Sequence, residues 1–303
     1  MSAQPGSPAR AIFYALLANL AIAISKLLAG LYTSSGAMIA EAIHSFADTA
    51  NQVLLFVGLK SSRRPADAEH PLGYGKLTYF WSFIVAMLLF SMGGLFSIYE
   101  GIHKLEVETV LNAPWVGLVV LLLAIVLESV SLGGCIREIN LMRNGKTFKG
   151  WFRHTRNAEL IIVLGEDIAA IIGLLLATGF VSAAWITGDT RYDAWGSISI
   201  GSVLILVAIF VAVRVQSLLV GKSAEPDMRR LIDEAIAEDE HIVEVLNTIT
   251  MHFGANVMLA AKIRMDDAMS LGDAVSFINQ LESRIKDRFP EVEWCFIEPD
   301  NSR

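Results

Sequence analysis

Apolar residues run in six blocks along the first two-thirds of the chain, at roughly 11–31, 37–59, 78–98, 114–136, 158–180 and 195–215. Each is near the ~20 residues that a helix needs to cross the hydrocarbon of a bilayer. After residue 221 the long apolar runs stop. Residues 225–237 have helical spacing, and 242–253 and 256–265 read as two strands around the turn Gly254-Ala255-Asn256. Residues 271–289 form an amphipathic helix closed by Pro290, and 292–298 alternate as a last strand. The pattern predicts a membrane all-α domain, a six-helix transmembrane bundle over residues 1–221. An α+β domain of order αββαβ, ferredoxin-like in kind, follows over residues 222–303.

Two of the apolar blocks carry ionisable residues at their centres. The second holds Glu41, His44 and Asp48. On a helix His44 and Asp48 lie about 40° apart, and Glu41 lies about 20° from Asp48. The fifth holds Glu166 and Asp167, together with Gly165, Ala169, Gly173 and Ala177 at four-residue spacing. That small-residue face lets another helix approach closely. Asp167 is about 200° round from Gly165 and so points away from the seam, whereas the direction of Glu166 is not fixed by spacing. Ionisable groups at membrane depth are costly and normally face a bundle interior or a water-filled cavity. A buried hydrogen-bond network is the plain alternative, but such pairs stabilise membrane packing by only about 1 kcal/mol. Glu41, His44, Asp48 and Asp167 are therefore read as a metal site between the second and fifth helices. Imidazole nitrogen and carboxylate oxygen suit Zn²⁺, and carboxylate-rich sites also suit Mn²⁺ or Fe²⁺.

Composition agrees with a membrane protein. The chain is 54% hydrophobic and 18% charged, with a mean hydropathy of +0.52. From Lys222 onward there are nine Lys and Arg against seventeen Asp and Glu, and before it fifteen against fourteen. A near-neutral body thus precedes an acidic tail, which is a poor nucleic-acid binder. Cys135 and Cys295 exclude a disulfide framework, and neither belongs to a CxxC pair. The first ten residues are polar and short, with no separate segment that predicts a cleaved signal. Basic residues crowd two loops, with Lys60, Arg63, Arg64 and Lys76 in one and Arg137, Arg143, Lys146, Lys149, Arg153 and Arg156 in the other. The opposite loops hold only Lys104 and Arg191. The positive-inside rule then places both termini and the tail in the cytoplasm, across the inner membrane if the cell is bacterial.

The segment SSGAMIAEAIHSFAD, the six spans, the basic fourth-to-fifth loop, the HPLGYGK loop at His70–Lys76 and the αββαβ tail resemble the cation diffusion facilitator family. The resemblance implies a homodimeric exporter of zinc or a related divalent ion. It implies a His-x-x-x-Asp on both the second and fifth spans. The second matches through His44 and Asp48, whereas the fifth has Asp167 with Val163 in place of its partner. Glu166 or water would supply the missing ligand, and the harder donor set also suits Mn²⁺ or Fe²⁺. Glu41 matches a position read as a proton-handling or supporting carboxylate. Asp67 and His70 match part of a loop metal site, with Tyr74 where a second His would stand. A solvated loop is the bland alternative. In the tail, His241, His252 and Cys295 are scattered, and Phe296 stands near where the family can place a histidine. The tail is expected to dimerise the protein without a strong metal site.

The expected function is divalent-metal efflux, with zinc exchanged for protons by alternating access. Protons compete with metal for imidazole and carboxylate atoms, which makes proton exchange the natural coupling. A manganese or iron transporter of the same type is one alternative, and a membrane metal sensor without turnover is another. No P-loop or HExxH is present, so no enzyme is expected, and no cofactor beyond the transported ion. Protons, membrane lipid and a second copy of the chain complete the expected partners.

Overall fold

The computed structural model describes residues 8–106, 113–143 and 145–301, with side chains from residue 19 onward. The first seven residues of the polar start lie outside that description. The helices are α1 (Pro8–Thr33), α2 (Gly36–Ser62), α3 (Leu77–Glu106), α4 (Pro114–Met142), the short α5 (Phe148–His154), α6 (Ala158–Thr187) and α7 (Arg191–Gly221). Each long helix falls on one of the six apolar blocks. The segments of α3, α4, α6 and α7 are long and apolar enough to cross a membrane. Helix α2 has the length, at 27 residues, but its polar stripe dilutes its apolar content.

The chain divides into two compact units. One runs to Val57 and takes in Trp81–Lys146 and Glu159–Val215. The other takes in Gly58–Phe80, Thr147–Ala158 and the chain from Gln216 onward.

In the first unit, glycines set the helix crossings. A Cβ on Gly94 of α3 would come within 2.4 Å of Ile205, and one on Gly201 of α7 within 2.6 Å of the Gly94 carbonyl. The α3 backbone is π-helical over Leu89–Leu95, the segment that carries Gly94. The widened turn thus sits at one of the close crossings with α7. The predicted seam on α6 is real: Ala169 and Ala177 are fully buried, and Gly165 faces Val207 and Val211 of α7.

The α1–α2 junction is tied down from a distant part of the chain. Ser34 takes a positive φ of 56°, which turns the chain between the helices. Asp193, in the first turn of α7, accepts the backbone N–H groups of Gly36 and Ala37 and the Ser35 hydroxyl. Ser35 itself accepts the Met38 N–H at 3.2 Å. A carboxylate at a helix N-terminus satisfies orphan donors and complements the positive dipole end. Lys104 of α3 completes the clasp, 3.7 Å from Asp193 and donating to the Ser34 carbonyl.

In the second unit, the tail comprises α8 (Pro226–Ala237), β1 (Ile242–Phe253), β2 (Asn256–Met265), α9 (Leu271–Arg288) and β3 (Val292–Pro299). The order is the expected αββαβ. Strand β1 pairs antiparallel with β2, and β2 parallel with β3, in the order β1-β2-β3. A full ferredoxin-like βαββαβ unit carries one more strand; the described residues make three. Gly254, at φ +67°, opens the two-residue hairpin loop in the left-handed region that glycine adopts without a Cβ penalty. The Ser270 hydroxyl caps α9 by accepting the Asp273 N–H. Ile232 and Ile236 of α8 and Phe277, Leu281 and Ile285 of α9 bury one sheet face. The other face shows a cross-strand row, Ile249–Ala260–Phe296, whose two large members are about half exposed. Within this unit the basic loops meet the tail: Arg156 donates to the Ser223 carbonyl at 2.8 Å, and the Tyr79 hydroxyl to the Gly254 carbonyl at 3.2 Å.

Candidate functional site

Helix periodicity puts Glu41, His44, Ser45, Asp48 and Asn51 on one stripe of α2. The structure buries that stripe. Glu41 and His44 have no solvent-exposed surface, and Asn51 likewise has none. The His44 Nδ1 lies 3.6 Å from Asp48 Oδ1, a close approach rather than a hydrogen bond.

Helix α6 answers from the other side. Glu166, whose direction spacing left open, accepts a 2.6 Å hydrogen bond from the Asn51 side chain. Asp167 points away from the glycine seam, as expected, and accepts from the Ser131 hydroxyl of α4 at 3.2 Å. Asp48, Glu166 and Asp167 line one cavity of ≈ 60 Å³ together with Glu128, Ser131 and Val163. Asn19 and Ser45 also contribute to its wall.

The ring nitrogens of His44, Asp48 Oδ1 and Asp167 Oδ2 are buried and have no hydrogen-bond partner among the described residues. Leaving buried acceptors unsatisfied costs about 1–3 kcal/mol each. Such atoms are strong donors to a cation. They are not gathered about one point, however: among the described residues no group of three or more His, Cys, Asp or Glu side chains is placed to hold a metal ion. The arrangement is a set of near neighbours on two helices that side-chain rotation would have to converge.

Glu41 stands apart. Its Oε2 pairs with the ammonium of Lys26 on α1 at 3.2 Å, with both side chains fully buried. Sequence reasoning passed over Lys26, though a single basic residue inside the first apolar block was a visible signal. Asn51, Ser131 and the Asp193–Lys104 clasp were also missed. Each acts across helices, which spacing along one helix does not reveal.

The loop residues Asp67 and His70 are each half exposed and sit 3.5 Å apart. Asp67 is already engaged. Its Oδ1 accepts the N–H groups of Glu69 and His70, and its Oδ2 accepts the Tyr74 hydroxyl at 2.7 Å. The Tyr74 hydroxyl, with the backbone N–H groups, holds the Asp67 carboxyl below the usual carboxylate range. Tyr74 also packs at a tilt against the His70 ring, centroids 4.2 Å apart, so it stitches the loop into a turn.

In the tail, His241 packs edge-on against Phe277 at 5.2 Å. Cys295 is buried, and burial pushes its thiol up to about 12. A thiol so raised is a poor thiolate ligand at neutral pH. Phe296 faces outward.

Comparison with known proteins joins these features. The model of the cation efflux transmembrane domain matches residues 12–220, and that of the cation efflux protein cytoplasmic domain matches residues 224–301. The proton-coupled zinc antiporter SLC30A9 of Xenopus laevis, a mitochondrial protein, is 31% identical over 266 residues, which is 86% of this chain and 47% of that protein. This chain thus spans about half the length of that relative. The cation-efflux pump FieF of Pectobacterium atrosepticum is 25% identical over 90% of this chain and 86% of its own length. The manganese efflux system protein MneP of Bacillus subtilis is 24% identical over 93% and 92%. With the two family models matching nearly the whole chain and four apolar helices long enough to span, the chain is a multi-pass membrane protein that belongs to the cation efflux, or cation diffusion facilitator, family.

Proposed function

We propose that this protein exports a divalent metal cation from the cytoplasm, with zinc the first choice of cargo and protons the counter-ion. The observation that carries the reading is the pairing of two helices at one cavity: Asp48 from α2, and Glu166 and Asp167 from α6. Buried donor atoms on both helices have no protein partner among the described residues. His44, Asp48 and Asp167 are the ligands in this reading, with Glu166 in the place left by Val163. Manganese or iron is the second choice of cargo, on the strength of the carboxylate-rich donor set and of the similarity to MneP. Asp67 and His70 hold the loop and are secondary at most.

The mechanism follows from the chemistry of those atoms. Metal binding requires neutral imidazole and ionised carboxylates. Protons arriving from the far side compete for the same atoms, weaken the site and reset the carrier. Moving a divalent charge against the membrane potential costs about 4.6 kcal/mol per 100 mV, from ~2.3 per unit charge, and returning protons offset that cost. Alternating access around a fixed site needs helices that can rock against one another. The glycine crossing of α3 on α7 makes that pair a compact frame for the motion.

In this reading all six long helices cross the membrane and the domain boundary falls at Gly221. Both termini are cytoplasmic, and the tail pairs two copies through its exposed row Ile249–Ala260–Phe296. The test is metal flux into proteoliposomes across an imposed pH gradient, with Zn²⁺, Mn²⁺ and Fe²⁺ in competition. Accumulation that collapses with the gradient supports proton-coupled transport. Binding without flux favours a membrane metal sensor instead.

A further inference from the structure

Lys26 is the only Lys or Arg between residues 11 and 57, and it has no solvent-exposed surface. A buried ammonium without a counter-charge is strongly unfavourable, so its partners define what it does. Its Nζ lies 3.2 Å from Glu41 Oε2 and 2.8 Å from the Ser45 hydroxyl. Ser45 lines the cavity that holds Asp48, Glu166 and Asp167. The other carboxylate oxygen of Glu41 rests against Gly173 of α6, where a Cβ would come within 2.4 Å of it. Glu41 is therefore held between an ammonium from α1 and the bare backbone of α6.

We propose that Lys26 is a positioning residue, a tethered cation that keeps Glu41 out of the metal's coordination and sets the net charge the cavity offers a divalent ion. This rests on the transport reading above and names a further part of the same site. Four carboxylates line the cavity: Asp48, Glu128, Glu166 and Asp167. Glu41 adds a fifth negative charge one helical turn from His44. The Lys26 ammonium cancels that fifth charge at contact distance and pulls its oxygen away. Without the cancellation the site would hold a divalent ion more tightly and release it more slowly. With Lys26 present but Glu41 neutral, the surplus positive charge would repel the ion. The two single neutralisations therefore shift metal affinity in opposite directions, and the double neutralisation restores it. A pair that only braces α1 against α2 gives no such sign reversal.

The test is zinc binding to the purified full-length protein, with KM and kcat for zinc flux in proteoliposomes. Lys26→Met is expected to tighten zinc binding by on the order of tenfold and to lower kcat, because one unit charge acts on a divalent ion across a few ångströms of partly buried protein. Glu41→Gln is expected to weaken binding by about the same factor. The Lys26→Met/Glu41→Gln double variant should return to near wild-type affinity, and Lys26→Arg, which keeps the charge, should stay close to wild type. Single variants that shift affinity in the same direction, or not at all, overturn the proposal. Should Lys26→Met fail to fold, Glu41→Gln decides alone, and unchanged zinc affinity there overturns it. Wild-type protein that neither binds nor moves zinc would defeat the transport reading itself, before any variant is compared.

Discussion

The carboxylate of Glu41 on α2 occupies the space that a side chain on Gly173 of α6 would need, with the ideal Cβ position 2.4 Å from Oε1. Gly165, two turns earlier on the same seam, has ordinary contacts of 3.4 Å and 3.5 Å to Val211 and Val207. The two glycines therefore differ in what they tolerate. Gly173→Ala should displace Glu41 from Lys26 and destabilise the protein by about 1–3 kcal/mol, the usual cost of overpacking. Gly165→Ala should be nearly neutral. Thermal unfolding of the detergent-solubilised protein compares them, and equal loss at both positions would contradict the account.

Asp193 is 157 residues from Gly36 in sequence, yet it caps the helix that carries His44 and Asp48. Asp193→Ala removes acceptors from the α2 N-terminus and leaves Lys104 without a carboxylate 3.7 Å away. Loss of a cap costs about 0.5–2 kcal/mol, and the Lys104 contact adds to it. Hydrogen exchange should show Gly36, Ala37 and Met38 losing protection first. Unchanged exchange there would show that the clasp does not hold the helix end.

Much of this fold was legible because period and punctuation agree. Strands β1 and β2 begin and end where alternation and the Gly254 turn place them, and α9 runs between its Ser270 cap and Pro290. The site was legible to the extent that helical spacing reaches. His44 and Asp48 share a face because they are four apart, and Asp167 turns from the seam because it is two from Gly165. What lay beyond reach was contact between helices. Nothing in the spacing of α1 says that Lys26 meets Glu41, nor in α7 that Asp193 caps α2. Tyr74 looked like a lost ligand, and its hydroxyl instead takes up Asp67. The π-helical turn of α3 left only the Gly93-Gly94 pair as a trace.

Val163 lines the cavity four residues before Asp167, on the same face of α6. Val163→His would add a second imidazole to a site otherwise rich in carboxylates. Softer nitrogen donors favour zinc over manganese, so the zinc-to-manganese preference in competitive uptake should rise by about tenfold or more. An unchanged preference would mean that position 163 does not reach the ion.

His252 gives the tail a pH dependence. Burial, reinforced by Arg156, holds its imidazole below the ordinary range. The unfolded chain then binds the proton more readily than the folded one near and below the usual value of about 6.5. The stability tied to neutral His252 is present above that pH and is lost as pH falls through it. Melting temperature should drop between about pH 7 and pH 5, and His252→Phe should flatten the drop. An identical pH profile in the variant would remove His252 from the explanation.

In the transport reading, carboxylates from α2 and α6 hold the same ion, and zinc binding to Asp48→Ala, Asp167→Ala and the double variant is the decisive measurement. If both ligate one ion, each single change should weaken binding by on the order of a hundredfold and the double change should cost little more than either, since ligands of one site are strongly coupled. Losses that add, or one single variant that binds zinc as wild type does, would contradict a shared site.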